Sequence, residues 1–204
     1  MIITIAGFKG GVGKTTTAVH IAACLQQYGA TMLVDGDPNR SATTWARRGK
    51  LPFRVVDERA AARYARQHEH IVIDTKARPD EEDLRALVEG CDLLIIPSKP
   101  DTLSLDALRL TMTTLKAIGS TNYRILLTIV PPKPSRDGEE AHLALTEAGY
   151  PVFRTLIRRF KAFEDAATVG VPVNGLAGNP RAQEGWNDYV EVSKEFYRDS
   201  TPAK

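Results

Sequence analysis

The chain has 204 residues, of which 43% are hydrophobic and 25% charged, so it is long enough for one domain with its own core and too short for two ordinary ones. Its formal net charge of +2 is too small to indicate a nucleic-acid partner, so any such partner would have to bind where basic residues concentrate. No segment approaches the roughly 18 consecutive apolar residues that span a membrane, and no charged stretch followed by an apolar one marks a secretory signal, so we expect one cytoplasmic domain over residues 1–204.

The first chemically distinctive stretch follows an apolar run of β-branched residues that begins at Ile2. Its residues are Lys9-Gly10-Gly11-Val12-Gly13-Lys14-Thr15-Thr16, and apolar residues at helical spacing come after it. Three glycines within four positions allow backbone N–H groups to wrap around a phosphate chain, and the following helix directs its positive end there. Lys14 is expected between the outer phosphates, and the Thr15 hydroxyl is positioned to ligate magnesium. This stretch predicts a phosphate loop for a Mg2+-bound nucleotide; the alternative is a flexible Gly/Lys turn without a ligand.

Apolar strands alternate with helical segments along the rest of the chain. The strand candidates are residues 2–6, 31–35, 53–56, 70–74, 93–97 and 124–130, with a short one near Val152. The helical candidates are residues 14–28, 58–68, 80–89, 102–118, 136–148, 160–169 and 179–198, and a short helix is expected to open at Ser41. This alternation predicts a single α/β domain whose mostly parallel, twisted sheet is covered by helices on both faces. In such sheets, ligands bind at the carboxyl ends of the strands.

Two of the predicted strands end in carboxylates. Asp35 and Asp37 lie two residues apart at the end of one strand, where alternation places both on the same side, so they could face a shared metal or water. Read alone, this segment is better interpreted as an Asp-Pro turn. Asp74 ends another strand and matches the Walker B role, in which a carboxylate holds Mg2+ through water. Lys76 and Arg78 follow it, and they could contact nucleotide or DNA or lie in solvent.

Several other residues are expected to be structural. Trp45 is interpreted as a packing residue, and Cys24 and Cys91 as small core residues rather than ligands or disulfide partners. Asp101 or Thr102 is expected to cap the helix over residues 102–118. The apolar face of that helix should pack on the sheet, and its residues are Leu105, Leu108, Met112, Leu115 and Ile118.

One later segment concentrates basic residues. It has four of them in eight positions, and no acid stands between Arg154 and Glu164. They are Arg154, Arg158, Arg159 and Lys161. Taken by itself, this pattern is typical of the solvated start of a helix.

Together the motifs resemble those of the ParA/MinD family of partition and positioning P-loop ATPases. The position five residues before Gly13 holds Phe8 instead of the glycine of the usual P-loop, and Lys9 stands at the front of the loop, as in the deviant form of that family. The similarity is specific at residues 9–17, 33–38 and 71–74 and looser at residues 92–106 and 154–173. The compact length is similar to that of short plasmid-partition ATPases and of the ATPases that space carboxysomes.

The resemblance implies a Mg2+-dependent ATPase of weak intrinsic activity, whose catalytic residues are Lys14, Asp37 and Lys9. It places Asp35 near the magnesium shell with Thr15 and Asp74, and gives Asp37 the role of orienting the attacking water. It also implies an ATP-dependent homodimer in which Lys9 of each subunit reaches the phosphates of the other. The segment after Asp74 departs from the family, because relatives usually continue with Thr-Pro-Pro or a glycine-containing turn.

The same resemblance implies partners. The dimer would bind DNA non-specifically through phosphate contacts of Arg154, Arg158, Arg159 and Lys161. An adaptor protein similar to ParB, ParG or McdB, carried by a plasmid, a chromosome or a carboxysome, would stimulate ATP hydrolysis and release the DNA, so we expect the protein on the nucleoid. In this fold the end of the strand over residues 124–130 lies near the base, which suggests an adenine contact by Pro131 and Pro132; a rigid connector is the equal alternative.

Other members of the superfamily provide three further hypotheses. A membrane-associated positioning ATPase of the MinD type ends in a basic amphipathic helix, whereas acids stand among the apolar residues of the helix predicted over 179–198, so we expect this helix to dock on the body without a stable membrane anchor. An iron–sulfur reductase would need cysteines that bridge two subunits, and Cys24 inside the first helix is badly placed for that. A metabolic ligase or kinase would need a substrate pocket that the sequence does not identify.

Overall fold

The structure is a computed structural model that describes residues 1–77 and 79–199, so Arg78 lies outside the described residues. The strands are β1 (Ile2–Gly7), β2 (Thr31–Gly36), β3 (Arg54–Asp57), β4 (His70–Ala77), β5 (Leu93–Ser98) and β6 (Tyr123–Leu127). The α-helices are α1 (Lys14–Leu25), α2 (Ser41–Arg48), α3 (Ala61–Ala65), α4 (Glu81–Glu89), α5 (Thr102–Ile118), α6 (Asp137–Glu147), α7 (Ala162–Val169) and α8 (Pro180–Asp199). Short 3-10 turns cover Glu58–Ala60 and Val173–Gly175.

The strands form one sheet in the order β3-β2-β4-β1-β5-β6, and every neighbouring pair is parallel. This confirms the predicted α/β fold. The register pairs Asp35 of β2 with Asp74 of β4, and β1 lies directly beside β4. β4 continues past Asp74 to Ala77, beyond the end that the sequence predicts, but both carboxylates and the loop after β1 still lie toward the same edge of the sheet.

Alternation of side chains along the strands builds a core on each face of the sheet. On one face, Ile3 and Ile5 belong to a cluster with buried residues of α1, α2, α7 and α8. On the other face, Leu94 and Ile96 pack with buried residues of α4, α5 and α6. A smaller cluster under α3 continues this second face, and its buried members are Met32, Val34 and Val56.

The residues predicted to be structural are buried as expected. Trp45, Cys24 and Cys91 are all buried, and both cysteines are free. Asp101 caps α5 by accepting a hydrogen bond from the Ser104 backbone. The predicted apolar face of α5 packs into the core, and α8 docks on the body through Trp186, Tyr189 and Phe196. Among the described residues, no helix is long and apolar enough to cross a membrane.

The prediction for the last strand is wrong at its carboxyl end. β6 stops at Leu127, because Ile129 adopts a left-handed backbone conformation with φ of 53°, which an extended strand cannot contain. Val130 then forms an isolated parallel bridge with Arg158, and the short strand expected near Val152 is only a bridge to Ile125.

Two predicted helices are also shorter than expected. The helix over residues 58–68 is a 3-10 turn followed by the five residues of α3. The basic segment does not start a helix, because α7 begins only at Ala162 and the residues before it run beside the end of β6. Both differences change the environment of charged residues that are discussed below.

Candidate functional site

The loop between β1 and α1 has the backbone shape of an anion site. Gly11 and Gly13 have φ values of 71° and 83°, which a residue with a Cβ rarely adopts. A Cβ at Gly10 or Gly11 would meet nothing within 4 Å, so the space over these glycines is open. α1 begins at Lys14 without a side-chain cap, which leaves its first N–H groups available. The predicted phosphate loop is therefore present, with its helix N-terminus directed to the open space.

Lys14 lies inside this loop. Its side chain is buried, and that burial lowers the pKa of Lys14, while the charges of Asp74 and Asp37 act in the opposite direction. The lysine is thus held beside two carboxylates, where a phosphate group entering the loop would be the third anion within its reach.

Thr15 and Asp74 form the pair expected of a magnesium site. The Thr15 hydroxyl donates a 2.7 Å hydrogen bond to Asp74 Oδ2, whereas the buried Oδ1 of Asp74 has no hydrogen-bond partner in the part of the chain that the structure describes. Burial raises the pKa of Asp74 to about 7, against the hydrogen bond from Thr15 that lowers it. A buried carboxylate oxygen without a partner, next to a hydroxyl, suits a divalent cation that would restore its charge.

The oxygen atoms of Thr15 and Asp74 also match the coordination preferences of Mg2+. Within residues 1–77 and 79–199, no three His, Cys, Asp or Glu side chains converge to hold a metal ion. Mg2+ usually keeps several waters and binds through one or two carboxylates together with phosphates of the substrate. Thr15 and Asp74 would therefore suffice as protein ligands for a magnesium ion that arrives with a nucleotide.

Asp35 and Asp37 have different environments. Asp35 is buried, and its Oδ2 accepts hydrogen bonds from the backbone N–H and the hydroxyl of Thr43 in α2, while its Oδ1 accepts from the Asp37 backbone. Among the described residues, the Asp37 carboxylate accepts one hydrogen bond, from the Asn39 backbone N–H at 2.8 Å. Asp35 thus fixes the turn that follows β2, and Asp37 is the carboxylate of this pair with capacity for a further partner.

Lys9, the second lysine of the loop, does not point to its own phosphate site. Its ammonium donates to Asp101 Oδ1 at 3.3 Å and to the Ser104 hydroxyl at 3.1 Å, at the start of α5. Burial alone would raise the pKa of Asp101, but the hydrogen bonds from Ser104 and Lys9 outweigh it and lower that pKa to about 2. Lys9 is therefore paired within its own chain.

A cavity of about 470 Å3 adjoins the loop at Gly13 and Thr16. It is lined on its other sides by residues from the end of β6, from the basic segment, from α7 and from α8, among them Ile129, Arg159, Phe160, Phe163 and Tyr189. The lining combines aromatic and apolar side chains with the charged residues Lys99, Arg158, Arg159 and Glu164. Such a mixed cavity beside a phosphate loop has the chemistry to bind a nucleobase and its ribose.

Pro131 and Pro132, expected at the adenine, do not line this cavity. The reason is the early end of β6: the chain turns at Ile129, so the prolines come after the cavity wall instead of forming it. Arg158 and Arg159 line the cavity although they were expected at DNA. Their position could not be read from local charge, since it depends on the bridge between Val130 and Arg158.

The four basic residues expected at DNA are not equivalent. Arg158 donates to Asp188 at 2.8 and 3.1 Å and to Glu184 at 2.9 Å, and the hydrogen bond to Asp188 is the main cause of its raised pKa. Lys161 pairs with Asp165 one turn further on. Arg154 is 88% exposed, with a carboxylate of Glu195 at 3.9 Å. Arg159 is exposed and makes no ion pair with any described residue.

The structure adds residues that the sequence did not single out. Thr128, directly after β6, donates a 2.7 Å hydrogen bond to the Val12 carbonyl and so ties the phosphate loop to the sheet. His20 is fully buried in α1, bonded to the Thr16 carbonyl and to the Val173 backbone, and stacked on Tyr189. A polar residue at the end of an apolar strand was the available signal for Thr128. The contacts of His20 with Val173 and Tyr189 join residues more than a hundred positions apart and leave no local signal.

Comparison with known proteins agrees with this geometry. The family described as CobQ/CobB/MinD/ParA nucleotide binding domain matches residues 3–173. The maintenance of carboxysome distribution protein A of Gloeobacter kilaueensis is 37% identical over 205 residues, which cover 97% of this chain and 94% of that protein. The protein of the same name from Halothiobacillus neapolitanus is 28% identical, over 88% of this chain and 89% of its own length.

Solved structures show the same fold. A variant of McdA from Cyanothece, in complex with ATP, has a TM-score of 0.77 at 16% identity, covering 100% of this chain and 98% of that one. The MinD cell division protein of Aquifex aeolicus has a TM-score of 0.76 at 16% identity, covering 100% and 99%. With a family match over most of its length and a carboxysome distribution protein as a full-length relative, the chain belongs to the ParA/MinD family of nucleotide-binding P-loop ATPases.

Proposed function

We propose that this chain is an ATP-dependent positioning ATPase that closes into a homodimer around ATP. The observation that supports the proposal is the contrast between the two lysines of one loop. Lys14 is buried beside Asp37 and Asp74, whereas the side chain of Lys9 turns away from the phosphate site and pairs with Asp101. One lysine serves the phosphates of its own nucleotide, so the second cation is best used on the phosphates bound by the other subunit, where it neutralises charge that develops during hydrolysis.

ATP would be held by the loop and by the cavity beside it. The loop residues are Lys9, Gly10, Gly11, Val12, Gly13, Lys14, Thr15 and Thr16, and the base would enter the cavity at Ile129 and Phe160. Thr15 and Asp74 would hold Mg2+, which supplies neutralisation of the phosphate charge. Asp35, whose oxygens are used by Thr43 and Asp37, would act by keeping the turn in place. Asp37 would orient the attacking water with its unused acceptor capacity.

The dimer would bind DNA without sequence preference, and an adaptor similar to ParB, ParG or McdB would stimulate hydrolysis and release it from the nucleoid. Arg154 and Arg159 are the foremost candidates for phosphate contacts. Arg154 is 88% exposed and meets Glu195 only at 3.9 Å, and Arg159 makes no ion pair with any described residue, whereas Arg158 and Lys161 hydrogen-bond to acids of their own chain. The name of the Gloeobacter relative favours a carboxysome as the cargo, with a plasmid or chromosome as the alternatives.

A MinD-like membrane-associated function is the weaker candidate. Such a protein would use an amphipathic helix on the lipid surface, whereas the apolar residues Tyr189 and Phe196 of α8 are buried against the body. Sedimentation with anionic vesicles and ATP distinguishes the two functions, because the DNA-binding ATPase would stay in the supernatant.

The deciding experiment is light scattering after size exclusion, with and without ATP and Mg2+. The wild type and the control Lys50→Ala, which removes an exposed lysine just after α2, are expected to dimerise with ATP. Lys9→Ala is expected to remain a monomer while still binding nucleotide. Asp37→Ala is expected to dimerise and to hydrolyse ATP at least about tenfold more slowly than the wild type. Normal ATP-dependent dimerisation of Lys9→Ala would refute the proposal.

A further inference from the structure

One face of the central strand β4 is incompletely covered. β4 lies between β2 and β1, and the side chains of Ile71 and Ile73 on this face remain partly exposed. Strands inside parallel sheets are normally buried on both faces, because crossover helices cover them. Apolar residues left partly open in the middle of such a sheet mark a surface that another element can cover.

The opening follows from the shortness of the crossover before β4. α3 has only five residues, so it covers the outer part of the sheet and leaves a gap between itself and α4. The gap is a groove of about 520 Å3. Its floor is the sheet, with Ile2, Met32, Val34, Ile71 and Ile73, and its walls include Ala61, Ala62 and Ala65 of α3 and Ala86 and Leu87 of α4.

The two walls of the groove carry opposite charges. On α4, Glu82 and Glu89 lie four residues before and three after Ala86, so they flank the groove on the same helix face. On the other side, Arg59 and Arg66 lie three residues before and four after Ala62. All four are exposed, and none forms an ion pair with any residue in the described ranges. The groove therefore presents an apolar floor between an acidic rim and a rim that is basic except at its end near Gly36, where Glu58 lines the groove.

One end of the groove reaches the candidate nucleotide site. Gly36 and Thr75 line this end, and they directly follow Asp35 and Asp74. Lys76 also lines it and pairs with Asp83 of α4 at 2.5 Å, which connects the end of β4 to the acidic wall. An occupant of the groove would thus touch the segments that hold both strand-terminal carboxylates.

We propose that this groove docks an amphipathic helix of a partner protein, with its apolar face on the sheet, a basic flank along α4 and an acidic flank along α3. The charge pattern favours this occupant over a small apolar ligand, because such a ligand carries no charged groups that could pair with the two rims. The nine residues of α4 span about 13 Å, so a helix of roughly three turns would fill the groove. The partner is the adaptor that stimulates hydrolysis, an identification that rests on the proposed function; the docking itself does not.

A helix library tests the groove directly. Phage would display helices of about 14 residues, with a fixed leucine face and both flanks randomised among Lys, Glu and Ser. Selection on the full chain is expected to enrich helices with lysine on one flank and glutamate on the other. The enriched peptides should lose about tenfold or more in affinity for Ala86→Arg and keep it for Ala117→Arg, which changes an exposed alanine of α5 outside the groove.

Three results would overturn the docking proposal. They are the absence of enriched helices, equal binding of the enriched helices to Ala86→Arg, and a nucleotide-independent dimer that Ala86→Arg dissolves, which would make a second copy the occupant. ATP turnover measured with and without the peptide keeps the two proposals apart. Peptide binding without ATP hydrolysis would support the docking proposal and refute the proposed function. ATP hydrolysis without peptide binding would support the proposed function and refute the docking proposal.

Discussion

Replacement of His20 tests how the candidate nucleotide site is held together. The contacts of this side chain determine how much its protonation changes the free energy of unfolding. The Val173 N–H donates to His20 Nε2 at 3.0 Å, so the proton of the neutral ring is on Nδ1, which donates to the Thr16 carbonyl at 2.6 Å. Tyr189 stacks on the ring at 4.8 Å between centroids. Burial lowers the pKa of His20 to about 4, although the bond to Thr16 acts in the opposite direction. A second proton on Nε2 would face the Val173 N–H.

The direction in which stability changes with pH follows from the difference between the pKa of His20 in the folded chain and in the unfolded chain. The folded chain holds His20 neutral below the pH at which the unfolded chain protonates it, near 6.5. The contribution to stability is therefore complete above about pH 6.5, declines as the pH falls through that value, and stops changing below about pH 4. At about 1.4 kcal/mol per pH unit, the full loss is about 3 kcal/mol, of which about 2 kcal/mol is reached at pH 5.

The assay is urea unfolding at pH 7.5 and pH 5, for the wild type and His20→Gln. The quantity compared is the decrease in the free energy of unfolding between pH 7.5 and pH 5. Because the other titrating groups are common to both proteins, the difference between the two decreases isolates the contribution of His20. This decrease is expected to be about 2 kcal/mol smaller for His20→Gln than for the wild type. The matched control is His68→Gln, because His68 also bonds to a carbonyl four residues earlier, that of Tyr64, but lies near the surface. This control should behave as the wild type does. Equal losses for the wild type and His20→Gln would refute the reasoning.

Two matched pairs give the remaining predictions. Gly119 and Gly170 end α5 and α7 with φ of 76° and 82°, but a Cβ at Gly119 meets open space while one at Gly170 would lie 2.2 Å from the Gly49 nitrogen. Gly119→Ala should therefore cost about 1 kcal/mol of unfolding free energy and Gly170→Ala roughly 1–3 kcal/mol more; equal costs would contradict the contact. Arg154→Ala should weaken non-specific DNA binding and lower the salt slope by about one, whereas Arg158→Ala should affect DNA less and stability more, because it leaves Asp188 without its guanidinium; a gel shift across a salt series and urea unfolding separate the two outcomes.

The parts of the site that the sequence predicted are those encoded by neighbouring residues. The glycine spacing after β1, the carboxylates in the carboxyl-terminal halves of β2 and β4 and the apolar face of α5 all depend on one strand, loop or helix at a time. Parallel strands then bring Asp35 and Asp74 to the same edge without further information, because their carboxyl ends must coincide.

The parts that escaped prediction depend on pairings between distant segments. Arg158 reads as a free cation in its own segment, yet α8 supplies Asp188 and Glu184 some 26 to 30 positions later, within bonding distance. Lys9 meets Asp101 across 92 positions. Local charge patterns cannot reveal such neutralisation, since it is the packing of a later helix that brings the acids to the base.

Contacts between distant segments also connect the cavity beside the phosphate loop to the turn after β2, which carries Asp37. α7, which carries Phe163 into the cavity wall, ends at Gly170, whose backbone touches that of Gly49 at the end of α2. The other end of α2 holds Asp35 through Thr43. Because both ends of this short helix are held by contacts, a displacement of α7 would be transmitted to the turn that carries Asp37. Packing of this kind transmits displacement between two rigid contacts, so occupancy of the cavity and the position of Asp37 are expected to change together.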